Sequence, residues 1–114
     1  MTPQQQASAW LLNCAILDTE TTGLYDDAEI VEISIIDENG GVLLDTLVKP
    51  LKPIPAEATA IHGITNEDVA GCVVDAARVE TIIKSANIVL AHNAAFDRPM
   101  VEKHWSIFER SNWA

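Results

Sequence analysis

Two short apolar runs each lead straight into an acidic motif. Ala15-Ile16-Leu17 is followed by Asp18-Thr19-Glu20-Thr21-Thr22-Gly23, and Ile88-Val89-Leu90 by Ala91-His92-Asn93-Ala94-Ala95-Phe96-Asp97. A short apolar run without polar alternation reads as a strand buried on both faces. The chain must therefore cover a sheet and also bring acids to the ends of its inner strands.

The segments between these runs set the topology. Cys14 to Thr19 is the first predicted strand, and Gly23 to Asp27 a turn. Glu29 to Asp37 alternates in part, with Glu32 and Ser34 between isoleucines. Asn39-Gly40-Gly41 is a hairpin signal, because its central residues tolerate positive φ, and Val42 to Val48 is the return strand. Strands one to three thus form an antiparallel meander. Pro50, Pro53 and Pro55 favour an extended stretch. A short helix from Ala56 to Ile61 should end at Gly63, and Thr65 with Asp68 resembles a capping box opening a turn that ends at Gly71. Asp75 caps a helix through about Ser85, with Val79, Ile82 and Ile83 on one stripe. Asn87 to His92 is strand four, which returns parallel to strand one by a right-handed crossover. A last helix runs from Ala95 to about Phe108, and Ser111 to Ala114 reads as the start of another strand. Residues 1–12 form a loose segment, leaving 13–114 as the domain.

On a strand, residues i and i+2 share a face, so Asp18 and Glu20 project together. Two neighbouring carboxylates repel unless a cation lies between them. Oxygen-only sites suit Mg²⁺ or Mn²⁺. Asp97, behind a strand parallel to the first, should arrive at the same end of the sheet. Three acids there could help to hold two cations for phosphoryl transfer. Each motif alone is weak: an Asp-x-Glu is most often a solvated turn, and an acid in a helix's first turn is favoured by the dipole. Their conjunction is stronger.

Seven basic against seventeen acidic residues give a net charge of −10. That argues against a protein that coats duplex nucleic acid, which needs clustered Lys and Arg. It leaves room for an enzyme that takes one strand end through divalent cations. Cys14 and Cys72 lack metal-ligand spacing and read as small hydrophobes in a reduced compartment. No signal-like start and no apolar run near ~18 residues is present, so a cytoplasmic location is expected.

These motifs, with Ile61-His62-Gly63-Ile64-Thr65 between them, resemble the DEDD superfamily of three-prime to five-prime exonucleases, in the branch whose general base is histidine. The proofreading subunit of bacterial DNA polymerase III and ribonuclease T are members. The resemblance covers about residues 13–114. It implies an α/β, ribonuclease H-like mixed sheet with flanking helices. It implies that Asp18, Glu20 and Asp97 are catalytic, metal-holding acids for Mg or Mn. It implies that Thr21, Thr22 and Gly23 touch the terminal nucleotide of a single-stranded end, with His62 beside it and Asn93 and Phe96 lining the pocket.

The family also carries His-x-x-x-x-Asp well downstream, after a fifth strand and more helices, and the 114 residues hold no such segment there. The expectation is a sheet without its last strand and C-terminal helices, and little or no activity from this chain alone. His104 and Glu109 have the same interval, but His104 lies about 10 Å along the helix axis from Asp97. Two other readings stand beside the nuclease: a nucleotide- or protein-binding module of nuclease ancestry, and an enzyme completed by a second chain. A bare strand-four edge and the aromatic Trp105, Phe108 and Trp113 would favour a homodimer or hetero-complex; ordinary packing on the chain's own sheet is the alternative for these rings.

Overall fold

The computed structural model describes residues 13–114. The loose segment expected at residues 1–12 lies outside these. The described chain forms β1 (Cys14–Thr21), β2 (Ile30–Ile36), β3 (Val42–Leu47), α1 (Ala56–His62), α2 (Asn66–Val69), α3 (Ala76–Ser85), β4 (Ile88–Ala91), α4 (Ala94–His104) and a 3₁₀ turn (Ser106–Arg110). The sheet order is β3-β2-β1-β4, with β1–β2 and β2–β3 antiparallel and β1–β4 parallel. This is the predicted mixed sheet with flanking helices. Among the described residues no helix is long and apolar enough to cross a membrane, and neither cysteine is in a disulfide.

Alternation sorts the strand residues between the two faces. Ala15, Leu17, Ile33, Ile35 and Val89 face a core filled by Val79, Ile82 and Ile83 of α3, Met100 and Val101 of α4, and Phe108. A second cluster joins Val31 to Ile54, Ala58, Ile64 and Val69, with Leu47 packed against it, and so fastens α1 and α2 to the sheet. The local signals explain the helix ends. The Asp75 carboxylate accepts from the N–H groups of Ala77 and Arg78. Thr65 and Asp68 form a reciprocal capping box. Gly63, at φ 78°, ends α1 in the left-handed region open to glycine.

Four expectations are corrected. First, β1 extends through Thr21, because Glu20 pairs with Glu32 and Thr21 with Ile30 across a bulge. Asp18 and Glu20 both lie inside the strand, rather than one at its end and one beyond. Second, β2 ends at Ile36 rather than running to Asp37, so Asp37 belongs to the β2–β3 connection. Among its residues only Gly40 has positive φ, and Asp37 organises it, its Oδ1 accepting from the N–H groups of Asn39 and Gly41. Third, α4 stops at His104. Trp105 is extended (φ −137°, ψ 115°), and the 3₁₀ turn then carries Phe108 into full burial, its ring centroid 6.2 Å from Trp105 and 6.0 Å from Trp113. Burying that ring outweighs continuing the helix.

The fourth correction concerns the edge of β4. It is not bare: Val89 bridges in parallel to Trp113. The Val89 N–H donates to Asn112 O at 2.8 Å, and the Ala114 N–H to Val89 O at 3.0 Å. The strand expected to start at Ser111 thus begins at the β4 edge. Trp113 Nε1–H donates to Phe108 O, and Arg98 lies over the Trp113 ring at 5.2 Å. Trp105, Phe108 and Trp113 pack on the chain's own core, so neither they nor an unpaired edge argue for self-association.

Candidate active site

β1 carries Asp18 exposed, Thr19 buried and Glu20 half-buried. Asp18 and Glu20 stand on the face opposite Leu17 and the α3–α4 layer. Their cross-strand partners are Ser34 and Glu32. Glu32 was not singled out by sequence reading, yet it lies directly across from Glu20. Its carboxyl is pushed above the usual carboxylate range, first by burial and then by the negative charges of Asp45, Glu20 and Asp18, with His62 acting in the opposite sense. The face is thus acidic on two adjacent strands, the condition under which a cation lowers the energy most.

Asp97 reaches the same end of the sheet from the first turn of α4, on the opposite face. It is 1% exposed. Its Oδ1 accepts from Thr19 Oγ1 at 2.7 Å and its Oδ2 from the Asn93 N–H at 2.9 Å. The third acid is therefore bonded to the residue between Asp18 and Glu20. Among the described residues, no group of three His, Cys, Asp or Glu side chains is placed to hold a metal ion together. Asp18 and Glu20 have the hard oxygen donors that Mg²⁺ or Mn²⁺ requires; both oxygens of Asp97 are already engaged.

Beyond Glu20 the chain folds into a cavity of about 530 Å³ lined by Glu20, Thr21, Thr22, Gly23, His62 and Phe96 among others. Asp18, Asn93 and Asp97 are not part of its wall. Thr21 and Thr22 shape it through their hydroxyls: Thr21 Oγ1 donates to Gly23 O at 2.7 Å, and Thr22 Oγ1 accepts from the Glu29 N–H at 3.0 Å. His62 closes one side. Its Nδ1 accepts from the Ile64 N–H, so its Nε2–H donates to Thr21 O at 3.1 Å. Exposed Leu24, Tyr25 and Ile61 surround the opening, an apolar rim beside an acidic floor. Asn93 is exposed before α4, with no side-chain capping bond.

His104 is engaged elsewhere. Its Nδ1–H donates to Met100 O at 2.9 Å, and its Nε2 accepts weakly from the Ile30 N–H at 3.5 Å. With both ring nitrogens on main-chain groups, it braces α4 against β2 and does not stand in for a base beside Asp18 and Glu20.

A sheet strand carrying Asp-x-Glu, a second acid heading a helix behind the adjacent parallel strand, and a cavity where the first strand ends define a nuclease-type domain. The family profile described as Exonuclease matches residues 15–110, and the chain belongs to that family. An uncharacterised exonuclease of Escherichia phage 186 is 67% identical over 67 residues, covering 58% of this chain and 34% of that protein. Exodeoxyribonuclease 10 of Escherichia coli K12 is 40% identical over 89 residues, covering 73% and 38%. The chain thus spans about a third of the length of these relatives. Among solved structures, exonuclease X in complex with 5′ overhanging duplex DNA superposes with a TM-score of 0.58 at 38% identity, covering 76% of this chain and 52% of that one. Apo exonuclease I superposes at 0.66 with 22% identity, over 85% and 24%, a likeness of fold.

Proposed function

We propose that this domain is built for metal-dependent hydrolysis of phosphodiesters at a single-stranded three-prime end, with Asp18 and Glu20 as metal-holding carboxylates and Asp97 as the third catalytic acid. The observation that carries the reading is the placement of Asp18 and Glu20 two residues apart on one strand that runs directly into the cavity. A Mg²⁺ or Mn²⁺ ion bound there supplies charge neutralisation and an acidified water. The chain's own residues do the rest. Asp97, tied to Thr19, fixes the strand between the two acids. Thr21, Thr22 and Gly23 present the floor to a terminal nucleotide. Phe96 and His62 form walls against which its base and sugar pack, and Asn93 offers an exposed amide at the start of α4.

The ring nitrogens of His62 and His104 are held by main-chain groups, so neither is free to act as a base beside Asp18 and Glu20. General-base catalysis typically supplies about 10²- to 10⁴-fold, so this chain tested alone should hydrolyse oligonucleotides very slowly. A second reading is favoured by the acidic face of β1 and β2, where Asp18, Glu20 and Glu32 lie together: a partner chain seated there supplies a general base. The test is Mn²⁺ titration calorimetry on the wild type and Asp18→Ala, alongside hydrolysis of a single-stranded DNA 20-mer. Cation binding lost in Asp18→Ala supports the site; equal binding by both proteins refutes it. Robust Asp18-dependent hydrolysis by the purified chain would overturn the expectation of a slow enzyme.

A further inference from the structure

The distribution of positive charge points to where a bound strand leaves the cavity. Lys84 pairs with Glu80 at 2.8 Å and Arg98 with Glu102 at 3.5 Å. Lys103 Nζ donates to the carbonyls of Asp26 and Ala28 at 3.0 and 2.6 Å, and Arg78 to that of Leu43 at 3.5 Å. The Lys52 ammonium has no hydrogen bond or ion pair among the described residues, yet its main chain is held firmly. Glu29 Oε1 accepts from the Leu51 N–H at 2.7 Å and Oε2 from the Lys52 N–H at 3.0 Å. The Glu29 carboxylate is thereby directed at the backbone of this loop and, among the described residues, forms no ion pair with the Lys52 ammonium.

Lys52 lies on a shared wall. It lines the 530 Å³ cavity, and with Asp27, Glu29, Leu51, Lys103 and His104 it also lines a second groove of about 340 Å³. Asp27 and Glu29 belong to both as well. The cavity carries Glu20 and Glu57, whereas the groove sets two lysines against its two acids. A phosphodiester passing from one to the other therefore meets its first unpaired cation at Lys52. Leu51, 97% exposed on the same clamped loop, presents an apolar surface beside it.

We propose that Lys52 is a positioning residue that contacts a backbone phosphate of a single-stranded nucleic acid, one step outside the cavity, and that the groove beyond it receives the upstream strand. This rests on the nuclease reading above. The step is binding only, and Lys52 takes no part in bond cleavage.

The test is fluorescence anisotropy of the full chain with a labelled single-stranded DNA 12-mer in Ca²⁺, repeated from 25 to 200 mM salt. The proteins are the wild type, Lys52→Gln and Lys49→Gln. Lys49 makes the same charge change from the neighbouring groove formed with Cys72 and Trp105. Lys52→Gln should weaken binding several-fold and reduce the slope of log K against log salt by about 0.7, one single-strand phosphate contact. Lys49→Gln should leave both unchanged, and Lys52→Arg should restore the slope. Equal losses in Lys52→Gln and Lys49→Gln would reduce the effect to net charge and overturn the proposal. A wild type that binds the 12-mer with Lys52→Gln unaltered would overturn it while leaving the nuclease reading intact. A wild type that binds no single strand at all would remove both.

Discussion

Replacing Asp97 by alanine in the absence of any cation separates its structural work from its proposed catalytic work. The carboxylate accepts one bond from a buried hydroxyl and one from a backbone N–H at the start of α4. Bonds to charged groups contribute about 1.5–3 kcal/mol each, and a donor left unsatisfied costs about 1–3 kcal/mol. The favourable position at a helix N-terminus adds about 0.3–1 kcal/mol. These overlap, since the Thr19 hydroxyl can turn to another acceptor once Asp97 is gone. A net loss of about 3–4 kcal/mol is expected for Asp97→Ala. For a domain near 100 residues that lowers Tm by about 12–18 °C. Asp97→Asn keeps one acceptor oxygen and should lose about half as much. The assay is urea unfolding followed by far-UV circular dichroism in EDTA. Thr19→Val, combined with Asp97→Ala in a double-mutant cycle, should show coupling of about 1–2 kcal/mol. A loss under about 1 kcal/mol in EDTA, or no coupling to Thr19, would refute the tie between β1 and α4 and leave Asp97 with a purely catalytic role.

Three further outcomes are expected. Phe108, fully buried between Trp105 and Trp113, should cost about 3–5 kcal/mol on truncation to alanine, measured by the same unfolding assay; a loss below 1 kcal/mol would mean that the 3₁₀ turn is not anchored by this ring. Glu38 is held below the usual carboxylate range by its own backbone N–H and those of Asn13 and Cys14. Its contribution should be present at neutral pH and lost as pH falls through the carboxylate range, so Glu38→Gln should destabilise at pH 7 and converge on wild type in acid; a pH-independent difference would contradict it. Glu32 has the opposite sign, because its raised value means that the folded state holds the proton more tightly. Stability should fall as pH rises from the usual carboxylate range to the raised value, so Glu32→Gln should gain Tm relative to wild type across that window, and a constant difference by calorimetry would sink the argument.

Local sequence determined the elements and the principal motifs. The Asp75 cap, the Thr65–Asp68 box and the Gly63 stop need only neighbours within a few residues, and each appears where the pattern placed it. The parallel return of β4 followed from the helix before it and the handedness of crossovers. The adjacency of Asp18 and Glu20 on one face followed from the two-residue period of a strand. What tertiary structure alone decided is how these pieces meet. The β1–β2 register puts Glu32 opposite Glu20, and the loop between the strands does not fix that register by itself. Pairing with β2 also carried β1 on to Thr21, past the point where the apolar run ends. The break at Trp105 lies in a stretch with helical periodicity, and it occurs because the sheet has a space that Phe108 fills. The same fold turned Asp97 toward Thr19, and gave Val89 a partner in Trp113 where the sequence implied a bare edge. Contacts between residues far apart in the chain depend on which surfaces the core brings together, and no local pattern of residues specifies that.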